Sequence, residues 1–378
     1  MSIKYRIMNY DLSKAVQYHY NQFPPTEIDF SLFINELVKA TDALARFDQM
    51  LKNLHNTEIL IAPLRNQEAV LSSRMEGTIS TMDEILQYEA EGEDKENSST
   101  RSDVIETILY QRSMKNAQEA LNDGYPFSIN FVKQIHQQLL SYGRGASKTP
   151  GMFKTEQNYL ADKLKKQIQF IPIRPENLEE GLTQLFDFLY TSTLPPIIKT
   201  AIMHLEFEAL HPFNDGNGRI GRMLITLNLW REEILSQPHF YISGYFEENK
   251  DAYIQAMRDV SRTNDWNNWI RFFLNAVTSQ AEHNLLIAEQ IKDLYETTKN
   301  EFADAIASKW NMEILDFIFT YPVFRSNKLL SATNIPSTTV GPRIKKLIEY
   351  DYLLVREEAS GRRAALYSFE PLMRIVRV

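Results

Sequence analysis

The chain of 378 residues contains no cysteine. That absence removes disulfide frameworks, thiolate metal centres, iron–sulfur clusters and cysteine nucleophiles. No run of about 18 apolar residues occurs, so no membrane-spanning helix is expected. The opening MSIKYRIMNYD lacks the apolar core of a signal peptide, and a cytoplasmic location is the expectation. Excess basic charge is also missing. The 41 Lys and Arg face 49 Asp and Glu, net −8, which argues against a coat protein for nucleic acid. Gly (13) and Pro (15) are sparse, which favours long helices. What is left for chemistry is His, carboxylate, Arg and backbone amide.

Apolar residues at 3–4 spacing mark amphipathic helices. One is expected over 31–60, a second from near Pro63 to Gly77 in a Pro-in, Gly-out pattern, and a third from near Ser80. The stretch EAEGEDKENSSTRSD (89–103) reads as a solvated linker. Between Phe153 and Ile173 the helical period breaks, and NYL and IQFIPI around ADKLKKQ predict a β-hairpin. From Asn311 onward the pattern is helix, two further helices (SNKLLSATNI, then STTVGPRIKKLIEYDYL with Pro342 in its first turn) and two strands around Ala359-Ser360-Gly361. That order predicts a winged helix. The expected organisation is therefore 1–103, an N-terminal helical region; 104–295, a catalytic helical domain; and 300–378, a winged-helix domain.

Chemistry concentrates in HLEFEALHPFNDGNGRIGRMLITLNLW, residues 204–230. Gly216, Gly218 and Gly221 spell a dinucleotide fingerprint, but a Pro-initiated helix precedes them where a strand is needed, and no acidic residue falls between Ile234 and Phe246. A zinc pair of His204 and His211 is disfavoured because Pro212 ends the helix between them and any common centre. An anion site fits better. Gly216-Asn217-Gly218 opens a helix whose free amides and positive dipole end attract anions. Arg219 and Arg222 stand in its first turns, where cations oppose the dipole, and a polyanion such as a triphosphate reconciles them. Asp215 beside that site suggests Mg²⁺, and His211 a general base.

HPFNDGNGRIGR, His211 to Arg222, resembles the signature of Fic-domain proteins, H-x-F-x-(D/E)-G-N-G-R-x-x-R, at every specified position. The resemblance extends over about residues 105–285. It implies a mainly α fold, a Fic-type helical bundle with a β-hairpin flap, here followed by a winged helix-turn-helix domain. It also implies transfer of AMP from ATP, with Mg²⁺, to a Ser, Thr or Tyr hydroxyl of a protein, this chain itself included. His211 would deprotonate the hydroxyl and Asp215 hold Mg²⁺. Gly216, Asn217, Gly218, Arg219, Gly221 and Arg222 would bind the nucleotide, with Tyr253 against adenine or else in the core. The flap residues Gln157, Asn158 and Tyr159 would dock the target, and Lys154 stands where many relatives have Arg. Ser72-Ser73-Arg74-Met75-Glu76-Gly77 resembles the inhibitory motif (S/T)-x-x-x-E-(G/N), so that Ser72 and Glu76 would restrain the site, Glu76 by pairing with Arg222.

Two other readings stay open at this point. One is AMP removal, with Glu76 positioning water. The other is a DNA-binding regulator that senses nucleotide through the Fic domain. Residues 301–378 carry 11 basic against 9 acidic residues, and 300–378 are expected to meet DNA or a protein. A homodimer is a further expectation.

Overall fold

The computed structural model describes residues 10–52, 55–91, 101–162, 164–305 and 308–378. The chain is mainly helical, as its low Gly and Pro content predicts. In order, the helices are α1 (Ile34–Leu51), α2 (Glu58–Met75), α3 (Met82–Glu91), α4 (Ser102–Asn122), α5 (Ile129–Leu139), α6 (Pro175–Thr191), α7 (Pro196–Leu210) and α8 (Asn217–Arg231). They continue as α9 (Ser243–Glu248), α10 (Lys250–Thr263), α11 (Trp266–Ala305), α12 (Asn311–Thr320), α13 (Ser326–Ala332), α14 (Ser337–Glu349) and α15 (Glu370–Val376). The strands are β1 (Val16–Gln17), β2 (Leu160–Asp162), β3 (Gln167–Ile171), β4 (Val323–Arg325), β5 (Leu354–Glu357) and β6 (Leu366–Ser368). Among the described residues no helix is long and apolar enough to cross a membrane.

Contacts divide the chain into two compact units. One comprises the chain up to Ala45 with Leu109–Ala281, the other Arg46–Ile108 with Glu282–Val378. Residues 46–108 thus pack in one unit with residues 282–378.

The first unit is built on α7 and α8. Nearly every residue of both is buried, the mark of helices enclosed on all sides. Pro196 opens α7, and His211 ends it in the left-handed region (φ 46), just before Pro212, which has no N–H to continue the ladder. Gly181 sits where a Cβ would come within 2.6 Å of Leu210, so α6 lies close on α7. The expected hairpin exists as β2–β3, antiparallel with a bulge at Leu160/Ala161. Its turn is held by Asp162 Oδ1, which accepts from the amides of Leu164 and Lys165, both at 3.0 Å. Asn158 precedes β2 instead of lying within it. A third strand that the sequence does not announce, β1, pairs parallel to β3. Beyond it the Tyr18 hydroxyl donates to Glu206 Oε1 (2.6 Å), and His19 bridges Glu206 Oε2 (2.8 Å) and Ser261 Oγ (2.7 Å). The hairpin is thereby tied to α7 and α10.

In the second unit, α2, α3 and the start of α4 share a core of Val70, Ile85, Val104 and Ile108. Thr81 and Glu84 form a capping box at α3: the Thr81 amide donates to Glu84 Oε2 (2.9 Å) and the Glu84 amide to Thr81 Oγ1 (3.2 Å). Two helix boundaries differ from expectation. The stretch 31–60 is broken between α1 and α2, and α2 starts at Glu58, with Pro63 its sixth residue. Pro342 likewise lies beyond the first turn of α14, as its sixth residue. An interior Pro costs about 3 kcal/mol; in α2 the burial of Ile59, Leu60, Ile61, Leu64, Ala69 and Val70 outweighs it. Of the linker 89–103, residues 92–100 lie outside the described residues, and its ends are helical.

The C-terminal module runs in the order α12-β4-α13-α14-β5-β6, with sheet order β4-β6-β5. It adds a strand, β4, and a helix, α15, that were not expected. Four of its arginines pair with carboxylates, whereas Lys345 and Arg362 are exposed. Arg356 pairs with Asp83 (2.6 Å) and Glu370 (2.9 Å), and Arg363 with Glu91 (2.7 Å) and Glu357 (3.2 Å). Arg325, 4% exposed at its side chain, pairs with Glu91 and with Glu357 (2.6 Å), and Arg377 with Asp83 and Glu370, both at 2.9 Å. These arginines tie the C-terminal module to α3.

Candidate active site

The six residues between α7 and α8 form the site. Phe213 is fully buried and stacks on His136 of α5, centroids 3.7 Å apart and planes 7° apart. The Gly151 amide donates to His136 Nδ1 (2.7 Å), which leaves the ring proton on Nε2 to donate to the Asp215 carbonyl at 3.2 Å. Burial holds His136 down to about 4, against the smaller opposing effect of that carbonyl bond. It is a neutral strut beneath the loop. No local signal in the sequence marks it apart from its position on a helix.

Asn217, the first residue of α8, clamps the loop from the other side. Its Oδ1 accepts from the Phe213 amide and its Nδ2 donates to the Phe213 carbonyl, both at 2.9 Å. The same Nδ2 lies 3.0 Å from His211 Nδ1. Gly216 is left-handed (φ 79), which a Cβ would oppose, and its amide donates to Asp215 Oδ1 at 2.6 Å. Arg219 Nη2 lies 3.4 Å from that same oxygen. The Arg219 side chain is 3% exposed, and its Nε and Nη1 are buried with no hydrogen-bond partner among the described residues. A buried guanidinium with two unused donors is costly, and an anion is the group that satisfies it.

Arg222 is also buried. Its charge, second to burial, holds His204 neutral, down to about 3. His204 is no metal ligand here: its nitrogens meet the Gly221 carbonyl (3.1 Å) and the Tyr253 hydroxyl (2.7 Å). Gly221 lies against α7, where a Cβ would come within 2.2 Å of Glu208 Oε1. Tyr253, expected against adenine or in the core, is in the core: it is 4% exposed and stacked on Phe246 at 4.3 Å. Among the described residues no three His, Asp or Glu side chains gather into a metal cluster. A cation here would have one protein carboxylate, Asp215, 38% exposed, which suits Mg²⁺ shared with phosphate oxygens.

The flap residues meet the loop directly. Lys154 is 3% exposed. Its amide donates to the Pro212 carbonyl (2.9 Å), and its Nζ to the Leu210 carbonyl (2.9 Å) and Asn158 Oδ1 (3.0 Å). Burial lowers its ammonium to about 7. Asn158 Nδ2 reaches His211 Nδ1 (3.0 Å) and the carbonyls of His211 (3.1 Å) and Phe213 (3.2 Å). Gln157 Nε2 donates to the carbonyls of Asn158 and Pro172, both at 3.0 Å. Asn158 and Gln157 are thus braces as built, and Tyr159 is half-buried beside them. Ser72 and Glu76 belong to the second unit. Ser72 is buried in the last turn of α2; Glu76 is the exposed residue that ends it, before left-handed Gly77 (φ 83).

The family profile described as Fic/DOC family N-terminal matches residues 34–119, and that described as Fic/DOC family matches residues 126–229. The chain belongs to the Fic/DOC family. It is similar to protein adenylyltransferase fic-1 of Caenorhabditis elegans, 34% identical over 28% of this chain and 19% of that one. It is also similar to a probable protein adenylyltransferase of Aquifex aeolicus, 25% identical over 52% of this chain and 55% of that one. The match thus spans about a fifth of the nematode relative and about half of the bacterial one. In fold it resembles a Fic family protein from Desulfovibrio desulfuricans G20 (TM-score 0.57, 18% identity, covering 92% of this chain and 98% of the other). It also resembles a Fic domain containing signaling protein from Bacteroides thetaiotaomicron (TM-score 0.55, 20% identity, 67% and 96%).

Proposed function

We propose that this protein transfers AMP from ATP to a hydroxyl side chain of a protein. The observation that carries this reading is Arg219, buried with two unpartnered donors beside the α8 N-terminus and Asp215. Phosphoryl chemistry depends mainly on positioning and charge neutralisation, and this set of groups offers both. In the reaction the hydroxyl oxygen bonds to the α-phosphorus, the bond from that phosphorus to the β-phosphate bridging oxygen breaks, and pyrophosphate leaves. His211 takes the hydroxyl proton. Arg219 and Arg222 hold the phosphates, with the amides of Gly216, Asn217 and Gly218. Asp215 would hold Mg²⁺, which neutralises phosphate charge when bound. The names of the similar proteins favour the same activity.

Regulation follows the motif Ser72–Gly77: Glu76 competes with the γ-phosphate for Arg222. This pairing rests on the motif alone. The test is incubation with ATP labelled at the α-phosphate. Label on protein is expected to rise with Glu76→Gly and to vanish with His211→Ala. A Glu76→Gly protein that labels neither itself nor any lysate protein sinks the transferase reading.

A further inference from the structure

His211 stands in the left-handed region (φ 46, ψ 62) although it carries a full side chain and precedes Pro212. Left-handed backbone is strained for residues other than glycine, and a following proline ring restricts the residue further. Such a turn persists only where its surroundings hold it. The His211 amide donates to the Phe207 carbonyl at 3.0 Å, the bond that closes α7. The carbonyls of its two neighbours, Leu210 and Pro212, are both held by Lys154. Lys154 Nζ donates to the Leu210 carbonyl and the Lys154 amide to the Pro212 carbonyl, each at 2.9 Å. Among the described residues neither carbonyl has another donor.

Lys154 is set in place by its own neighbours. The Gly151 amide rests on His136 (2.7 Å), and Phe153 packs against Phe213 with ring centroids 5.4 Å apart. The Lys154 amine is buried and, among the described residues, meets no carboxylate; its second acceptor is Asn158 Oδ1 at 3.0 Å. A buried amine without a counter-charge is costly, and an apolar side chain would fill the same space at less cost. We infer that Lys154 is a positioning residue, which clamps the carbonyls on both sides of His211, holds its left-handed turn and so aims the imidazole. The clamp does not depend on charge. Burial holds the amine at about 7, and the neutral form still has two hydrogens for its two acceptors. Asn217 cannot replace it. Asn217 meets the His211 ring and the Phe213 backbone but neither clamped carbonyl, so it receives the ring only where the backbone presents it.

The effect on turnover rests on the transferase reading; the clamp itself does not. The test begins with crystal structures of the full chain without nucleotide, as wild type, Lys154→Met and Lys154→Arg. The wild type is expected to keep Nζ on the Leu210 carbonyl. Lys154→Met, close in length but without side-chain donors, is expected to release His211 from the left-handed region, and Lys154→Arg to retain it. Labelling from α-phosphate-labelled ATP is then compared in the Glu76→Gly background. Lys154→Met is expected to slow labelling at saturating ATP about tenfold or more, the effect of a buried carbonyl left unpaired. Its affinity for a non-hydrolysable ATP analogue is expected to stay within about twofold, since only the step after binding needs the aimed ring. Lys154→Arg is expected to recover most of the rate. A wild-type Nζ turned away from Leu210 overturns the inference, and so does a Lys154→Met protein whose His211 is still left-handed. Rate, analogue affinity and melting temperature falling together, without rescue by Arg, would show a merely structural role and overturn it too. Should Lys154→Met fail to fold, Lys154→Gln, whose amide falls short of the Leu210 carbonyl, takes its place with the same expected outcomes. No labelling by the Glu76→Gly protein itself, with the structures as expected, would count against the transferase reading and leave the clamp standing.

Discussion

His136→Phe is expected to change the acid sensitivity of the fold more than its stability at the acid end. The wild-type imidazole is held at about 4 in the folded chain, against about 6.5 when unfolded. Between those values the unfolded chain binds the extra proton. The stability that this neutral His contributes is therefore complete above about pH 6.5 and is lost as pH falls toward 4. Integrated from pH 7 to 5, the loss is about 2 kcal/mol. Phe keeps the stack on Phe213 but cannot titrate. It also leaves the Gly151 amide and the Asp215 carbonyl without their bonds, a cost of about 2 kcal/mol at pH 7. The two stability curves should accordingly lie about 2 kcal/mol apart at pH 7 and converge near pH 5. Urea denaturation of both proteins at the two pH values measures this directly, and His204, present in both, cancels in the difference. Parallel curves would refute the assignment of His136 as a buried neutral strut.

Further outcomes follow from other sites. Arg219→Met removes buried, unpartnered donors; it is expected to raise the melting temperature while weakening binding of a non-hydrolysable ATP analogue about tenfold or more, and unchanged binding would remove Arg219 from the phosphate site. Gly216→Ala forces a side chain into the left-handed region and should cost about 1 kcal/mol in urea denaturation, since the Cβ itself meets nothing nearer than 3.5 Å. Arg325→Met leaves Glu91 and Glu357 with Arg363 as their remaining arginine and should cost about 2 kcal/mol, read from the same denaturation; a neutral result would show that Arg363 and solvent suffice for both carboxylates.

The site was legible where its chemistry is contiguous. His211 to Arg222 lie on one loop and the helix it opens, so their types and spacing already group the candidate anion-binding residues, among them left-handed Gly216 and buried Arg219. The parts supplied by other elements were not legible. Nothing in a helix repeat says that His136 will stack on Phe213 and carry the Asp215 carbonyl, and nothing in NYL says that Asn158 will turn to His211. Tyr253 fits the pattern of a stacking residue and of a core residue equally, and only its bond to His204 separates them. Pro63 was read as a helix start because proline usually is one, but the apolar residues ahead of it extend the helix by five positions. The acidic partners of Arg356 and Arg363, Asp83 and Glu91, stand so far earlier in the chain that no local pattern announces the pairing.

The tie between the C-terminal module and α3 has a consequence for how the chain is made. Glu91 and Asp83 receive their arginine partners, and Gln67 its bond to the Val376 carbonyl (3.0 Å), only once the last residues exist. The N-terminal helices α2 and α3 leave the ribosome long before those partners do. Closing so long a loop adds little to the equilibrium cost but delays the contacts it enables. The segment that carries Ser72 and Glu76 thus completes its packing last, after the loop that holds His211 has been synthesised. A chain halted before α12 would keep the catalytic sequence and lose the partner of its candidate restraint.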